Sequence, residues 1–177
     1  DKVIDIFKSF PHKNIICVVD IAYLDFAGEA YAYRAFLKKL TGLTHHILPL
    51  IAFSASKGFT MYGMRCGALL CMAPTAELAK EFRDAASVAS RASWSNGNHS
   101  AMAVISKIFA DDALLAKVTD ERNHYMQILQ ERGRAFMEEA NKIGLKCCPY
   151  DSGFFITVPC ENAEEVGKAL QALNVFA

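Results

Sequence analysis

The chain lacks an excess of either charge: 19 Lys and Arg stand against 19 Asp and Glu in 177 residues, for a formal net charge of zero. With no summed field to attract them, nucleic acid and anionic membrane are not expected as broad electrostatic partners, and any ligand must be held locally. It also lacks an apolar run able to cross a bilayer. The uncharged stretch from His45 to Ser56 carries two histidines and a proline, and it is shorter than the roughly 20 apolar residues a spanning helix needs. The amino-terminal residues carry no signal-peptide pattern. Cysteine is present but not in zinc or redox spacing. Cys17, Cys66, Cys71, Cys147, Cys148 and Cys160 include no CxxC, only the adjacent pair Cys147-Cys148. Four of the six sit in apolar runs, where cysteine packs as a small hydrophobe. The expectation is a soluble, cytoplasmic protein with reduced thiols and no metal.

What is present is apolar residue, 53% of the chain, enough for a substantial core. Position 1 is Asp rather than Met, and Val3, Ile4, Phe7 and Phe10 already follow helical spacing, so the sequence reads as starting within a fold. After a break at Pro11 to Asn14 comes Ile15-Ile16-Cys17-Val18-Val19, ending at Asp20. A continuous β-branched run of this kind suits a strand buried in a parallel sheet. Gly28 to Leu40 reads as a helix with Tyr33, Phe36, Leu37 and Leu40 on one face and Gly42 as its stop. His46 to Ser54 and Cys66 to Met72 follow as further strands. Strand, helix, strand is the order of a crossover unit, which sets parallel strands side by side, so the class is α/β.

From Pro74 the spacing turns helical, with Thr75 as cap and Leu78, Phe82 and Ala89 on one face. A longer run from Leu115 to Ile143 ends at Gly144. A strand-like segment, Phe154 to Val158, and a helix capped by Asn162 with Glu165 at the box position come next. We expect two parts: residues 1–111 from a larger domain with a mainly parallel sheet, and residues 112–177 from a smaller α+β domain. No internal repeat or low-complexity segment is present.

In open α/β sheets ligands sit beyond the carboxyl ends of the strands. The first strand ends in Asp20-Ile21-Ala22-Tyr23, a carboxylate and a phenol. The second ends in Ser54-Ala55-Ser56-Lys57-Gly58-Phe59, with Tyr62-Gly63-Met64-Arg65 shortly after. Singly, Asp20 suits a helix cap, Lys57 and Arg65 suit solvated charges, and Tyr23 suits the core. Together they set a carboxylate at one strand end against hydroxyls, an amine and a guanidinium at the next. The histidines His12, His45, His46, His99 and His124 form no such grouping.

Asp20-x-Ala22-Tyr23, Ser54-x-x-Lys57, Arg65-x-Gly67 and Arg91-x-x-x-Ser95-Asn96, in that order, resemble the aspartate and aromatic aminotransferase group of class I pyridoxal-phosphate enzymes. The likeness spans nearly the whole chain, including Ser152-Gly153-Phe154-Phe155. It implies a fold-type I architecture. Chains of that family are more than twice as long, which implies that this sequence matches the later part of the large domain and part of the small one, a fragment of small activity by itself.

The resemblance further implies residue roles. Lys57 would form a Schiff base with pyridoxal 5′-phosphate, which needs the amine neutral, and would then carry a proton between substrate Cα and cofactor. Asp20 would pair with the pyridine nitrogen, and Tyr23 would donate to the phenolic oxygen. Ser54, Ser56 and Arg65 would hold the phosphate. Arg91 would reach a substrate's distal carboxylate across a homodimer interface. Its other reading is a cap on its own helix, and Gly97-Asn98 stand where the family usually has prolines. The substrates implied are an L-amino acid of aspartate or aromatic type and a 2-oxo acid such as 2-oxoglutarate. The alternatives are a lyase or decarboxylase of the same fold and a non-catalytic module that binds the cofactor or an amino acid. Ser54-x-x-Lys57 also fits a serine acyl-transferase, but the Lys-Thr-Gly that enzyme class needs downstream is absent.

Overall fold

The computed structural model describes residues 2–28, 34–43 and 46–176. By packing the chain divides into two compact units, Asp1–Met126 and Gln127–Ala177.

The first unit opens with helix α1 (Lys2–Lys8) and is built on three strands, β1 (Ile15–Asp20), β2 (Ile47–Ser54) and β3 (Gly67–Cys71), in the order β1-β2-β3. β1 and β2 run parallel, with Ile15 opposite Ile47 and Asp20 opposite Ala52, as the crossover reading requires. β3 runs antiparallel to β2, with Ser54 opposite Gly67. The link between them holds only helix α2 (Ala55–Gly58) and a 3-10 turn, Tyr62–Met64, which does not recross the sheet. Ile47 and Pro49 of the central strand are the largest fully buried side chains, and Leu50, Ile51, Phe26 and Leu40 join them in the core. A proline is tolerated in this central strand because its carbonyl meets Met72 N at 3.0 Å, one residue beyond β3, so the missing donor falls where the ladder ends.

The expected helix from Gly28 to Leu40 is present as a 3-10 helix over Ala35–Leu40. Residues 29–33, with Tyr33, and residues 44–45, with His45, lie outside the described residues. Thr41 turns extended and Gly42 takes a positive φ of 66°, which stops the helix.

Helix α3 (Ala76–Trp94) begins where Thr75 Oγ1 accepts from Leu78 N at 3.2 Å, the cap read from the sequence. Helix α4 (His99–Phe109) has no counterpart in the sequence reading. Its signal is there: Asn98 Oδ1 caps it through Ala101 N at 3.1 Å, and Ala101, Ile105 and Ile108 follow at helical spacing. Helix α5 (Asp112–Lys142) is the long helix expected, ended by Gly144 at φ 72°.

In the second unit Tyr150 packs over Gly133, where a Cβ would come within 2.5 Å of its ring. Phe154 to Val158 does not form a strand. Cys148 N donates to Thr157 O at 2.8 Å, but no ladder of such bonds with a neighbouring strand forms among the described residues. Helix α6 (Ala163–Ala172) is capped by Asn162 as expected, its Oδ1 accepting from Glu165 N at 3.3 Å. Among the described residues no helix is long and apolar enough to cross a membrane, and no cluster of His, Cys, Asp and Glu could hold a metal ion.

Candidate active site

The parallel pairing of β1 with β2 brings two chemistry-bearing turns to the same end of the sheet. Asp20 is the last residue of β1, and its register partner Ala52 lies two residues before Ser54, the last of β2. Because side chains alternate along a strand, Asp20 and Ser54 share one sheet face. Asp20 is exposed, and its Oδ1 accepts from Ala22 N at 2.9 Å, a local turn that fixes the carboxylate at the strand end. The backbone continues along the sheet for one more bond, Ile21 N to Ala52 O at 3.0 Å, before Tyr23 leads into a 3-10 turn, Leu24–Phe26.

At the second strand end Ser54 is an N-cap, its Oγ accepting from Ser56 N at 3.2 Å. The single helical turn so started carries Lys57 between buried Ala55 and buried Gly58. The half-buried Lys57 points its amine at two aromatic rings: Nζ is 4.7 Å from the Tyr62 ring centre and 5.7 Å from that of Tyr23. Among the described residues it makes no ion pair. Arg65 lies on the same ring of Tyr62 at 5.2 Å and donates from Nη1 to Tyr62 O at 3.1 Å. It too has no carboxylate partner among the described residues. Its backbone is left-handed, φ 51°, and Gly67 two residues on leaves room for Phe53 O, which a Cβ there would meet at 2.6 Å.

Lys57, Tyr23, Ser54, Ser56 and Arg65 thus gather around two neighbouring turns, with Asp20 on the adjoining strand end. Arg91 does not join them on any contact given by the structure. It sits in the last turn of α3 and donates from Nη1 to Ser95 O at 3.3 Å, as a helix cap does. Three residues to which the sequence reading gives no role belong to this neighbourhood. Tyr62 is the ring shared by Lys57 and Arg65. Asn98 donates from Nδ2 to Met64 O at 2.8 Å, which ties the start of α4 to the turn before Arg65. Asp25 pairs with Arg34 and, at 3.2 Å, with Arg122. Away from these turns, burial pushes the Cys71 thiol above its ordinary range, which fits a packed rather than a reactive cysteine.

This sheet end belongs to a known class of enzyme fold. The family model for aminotransferase class I and II matches residues 1–176, and the chain belongs to that family. The aromatic-amino-acid aminotransferase of Escherichia coli is 32% identical over 139 residues, 74% of this chain and 33% of that protein. The crystal structure of an aminotransferase from Anaerococcus prevotii superposes on 99% of the chain with a TM-score of 0.94 at 31% identity, covering 44% of that protein. An aromatic-amino-acid aminotransferase from Burkholderia pseudomallei, solved covalently bound to pyridoxal phosphate, shares the fold over 99% of this chain and 44% of its own, with a TM-score of 0.77 at 19% identity. The chain therefore spans about a third of the curated relative's length and under half of the solved ones.

Proposed function

We propose that the full-length protein is a pyridoxal 5′-phosphate-dependent aminotransferase whose cofactor is carried by Lys57. The observation that supports this most is the Lys57 amine held between the rings of Tyr23 and Tyr62 without an ion-pair partner among the described residues. Among the described residues no carboxylate ties this amine down, which leaves it placed to attack a carbonyl as a nucleophile. The donor set around it suits the cofactor. Arg65 and the hydroxyls of Ser54 and Ser56 offer charge and hydrogen bonds to a phosphate, and Tyr23 offers a hydroxyl to a phenolic oxygen. Asp20 offers a carboxylate to a ring nitrogen.

When bound, the cofactor supplies an electron-withdrawing ring that accepts the charge left on substrate Cα when a proton departs. The protein's share is geometric and electrostatic. Asp20 would hold a proton on the ring nitrogen, since a carboxylate placed there favours the charged ring. The amine of Lys57, tethered beside substrate Cα, would take the proton from that atom and hold it for return. Arg65, Ser54 and Ser56 resist loss of the phosphate.

The substrates in this reading are an L-amino acid of aspartate or aromatic type and a 2-oxo acid such as 2-oxoglutarate, with Arg91 released from its helix cap to meet a distal carboxylate across a homodimer interface. Residues 1–111 belong to the cofactor-binding domain and residues 112–177 to the smaller domain, in a cytoplasmic enzyme. The test is to incubate the full-length protein with cofactor, 2-oxoglutarate and L-aspartate or L-tyrosine. Expected is one glutamate formed for each new 2-oxo acid, and no turnover in Lys57→Ala. Carbon dioxide or ammonia release in place of glutamate would mean a decarboxylase or lyase, and binding without turnover a non-catalytic module.

A further inference from the structure

Beneath the Lys57 turn lies a second cluster to which the proposed chemistry gives no part. Arg122, in the third turn of α5, has a side chain 13% exposed, and that of Asp25 is 15% exposed. Arg122 Nη1 stands 3.2 Å from Asp25 Oδ2 and donates to Gly58 O at 3.3 Å, while the face of the guanidinium lies 5.7 Å from the Phe59 ring centre. Gly58 leaves no space here, because a Cβ on it would run into the Asp25 carboxylate. Asp25 also pairs with Arg34, which is 46% exposed. One side chain therefore joins the residue after Lys57 to the residue two places after Tyr23, across two separate strand ends.

We propose that Arg122 is a positioning residue for Lys57, fixing the Lys57 turn against the Tyr23 turn through the Gly58 carbonyl and the Asp25 carboxylate. The inference rests on the assignment of Lys57 as the cofactor lysine. Among the described residues the amine has no hydrogen-bond or ion-pair partner, only the rings of Tyr23 and Tyr62 near it, so its aim depends on the backbone below it. A planar, forked cation meets two acceptors on different elements while its face rests on a ring; a lysine ammonium meets them as a single point charge. With Arg122 removed, Asp25 keeps, among the described residues, the more exposed Arg34, and the Gly58 carbonyl loses the Arg122 donor.

The experiment compares full-length wild type, Arg122→Met, Arg122→Lys and the isosteric Asp25→Asn. Each is stripped of cofactor, and the rate of pyridoxal phosphate capture is read from the visible band. Borohydride-fixed cofactor is then located by peptide mass, and kcat and KM are measured separately. Expected in Arg122→Met is capture slowed by about tenfold and kcat lowered by about 10- to 100-fold, the range for a small misplacement of a reacting group. KM should change by less than about threefold on the same ground, since substrate contacts remain. Arg122→Lys should recover part of the loss, and Asp25→Asn should fall in the same direction; it also serves if Arg122→Met folds poorly. Wild-type capture rate and kcat in Arg122→Met and Asp25→Asn, with only the melting temperature lowered, would overturn the proposal alone. Cofactor fixed elsewhere than Lys57 in the wild type would overturn both this inference and the reading beneath it.

Discussion

Asp20 and Arg65 are assigned to opposite ends of one cofactor, so their losses should separate. Asp20 is a carboxylate fixed by its own turn bond to Ala22 N, and its task is to stabilise charge during the reaction. Asp20→Ala should lower kcat by about 100-fold or more, as loss of one preorganised electrostatic group does, while cofactor affinity changes by less than about tenfold. Arg65, stacked on Tyr62 without a carboxylate partner among the described residues, is assigned to the phosphate. Arg65→Ala should weaken cofactor retention by about 10- to 100-fold, the scale of a lost hydrogen bond to a charged group. Dialysis followed by absorbance, alongside steady-state kinetics, checks both, and the reverse pattern would exchange the two roles. At this scale the sequence names the groups that bear chemistry, since an amine and a carboxylate at strand ends are visible as letters. It does not show which groups support them. Arg122 stands 64 residues from Gly58, and within the sequence it reads as one more residue of a long helix's periodic stripe.

Elements were legible where their own residues determine them. β1 and β2 follow from β-branched and apolar runs, and the caps at Thr75 and Asn162 from local side chain to backbone bonds. Elements that depend on a neighbour were not. The direction of β3 is set by a short link that cannot recross the sheet, and Phe154 to Val158 has strand-like letters but no neighbouring strand to pair with among the described residues. α4 is hard to read from its letters because its cap, Asn98, stands in a short Ser95-Asn96-Gly97-Asn98 turn that resembles a loop. That residue has two tasks, capping α4 through Ala101 N and holding Met64 O. Asn98→Ala should therefore cost about 1 to 2 kcal/mol, a cap plus an exposed hydrogen bond. A denaturant midpoint shifted without a change in slope is the expected reading, and Asn98→Asp, which keeps the cap but not the donor, should lose less.

Across the whole molecule, the two compact units divide at Met126, within α5, which runs without interruption from Asp112 to Lys142. All the residues gathered around Lys57, and Arg122 and Asp25 that support them, belong to the first unit. The same unit leaves Ile16 and Val18 of β1 at 65% and 59% exposure and Trp94 at 75%, apolar surface of the kind that meets other protein. Since the chain spans about a third of its curated relative, we assign the enzyme to the full-length protein. The most direct test is to fix bound pyridoxal phosphate onto that protein with borohydride and sequence the modified peptide by mass spectrometry. The account predicts one pyridoxyl group per chain, on Lys57, and none after Lys57→Ala. A pyridoxyl group on another lysine, or a colourless protein that captures none, would contradict it.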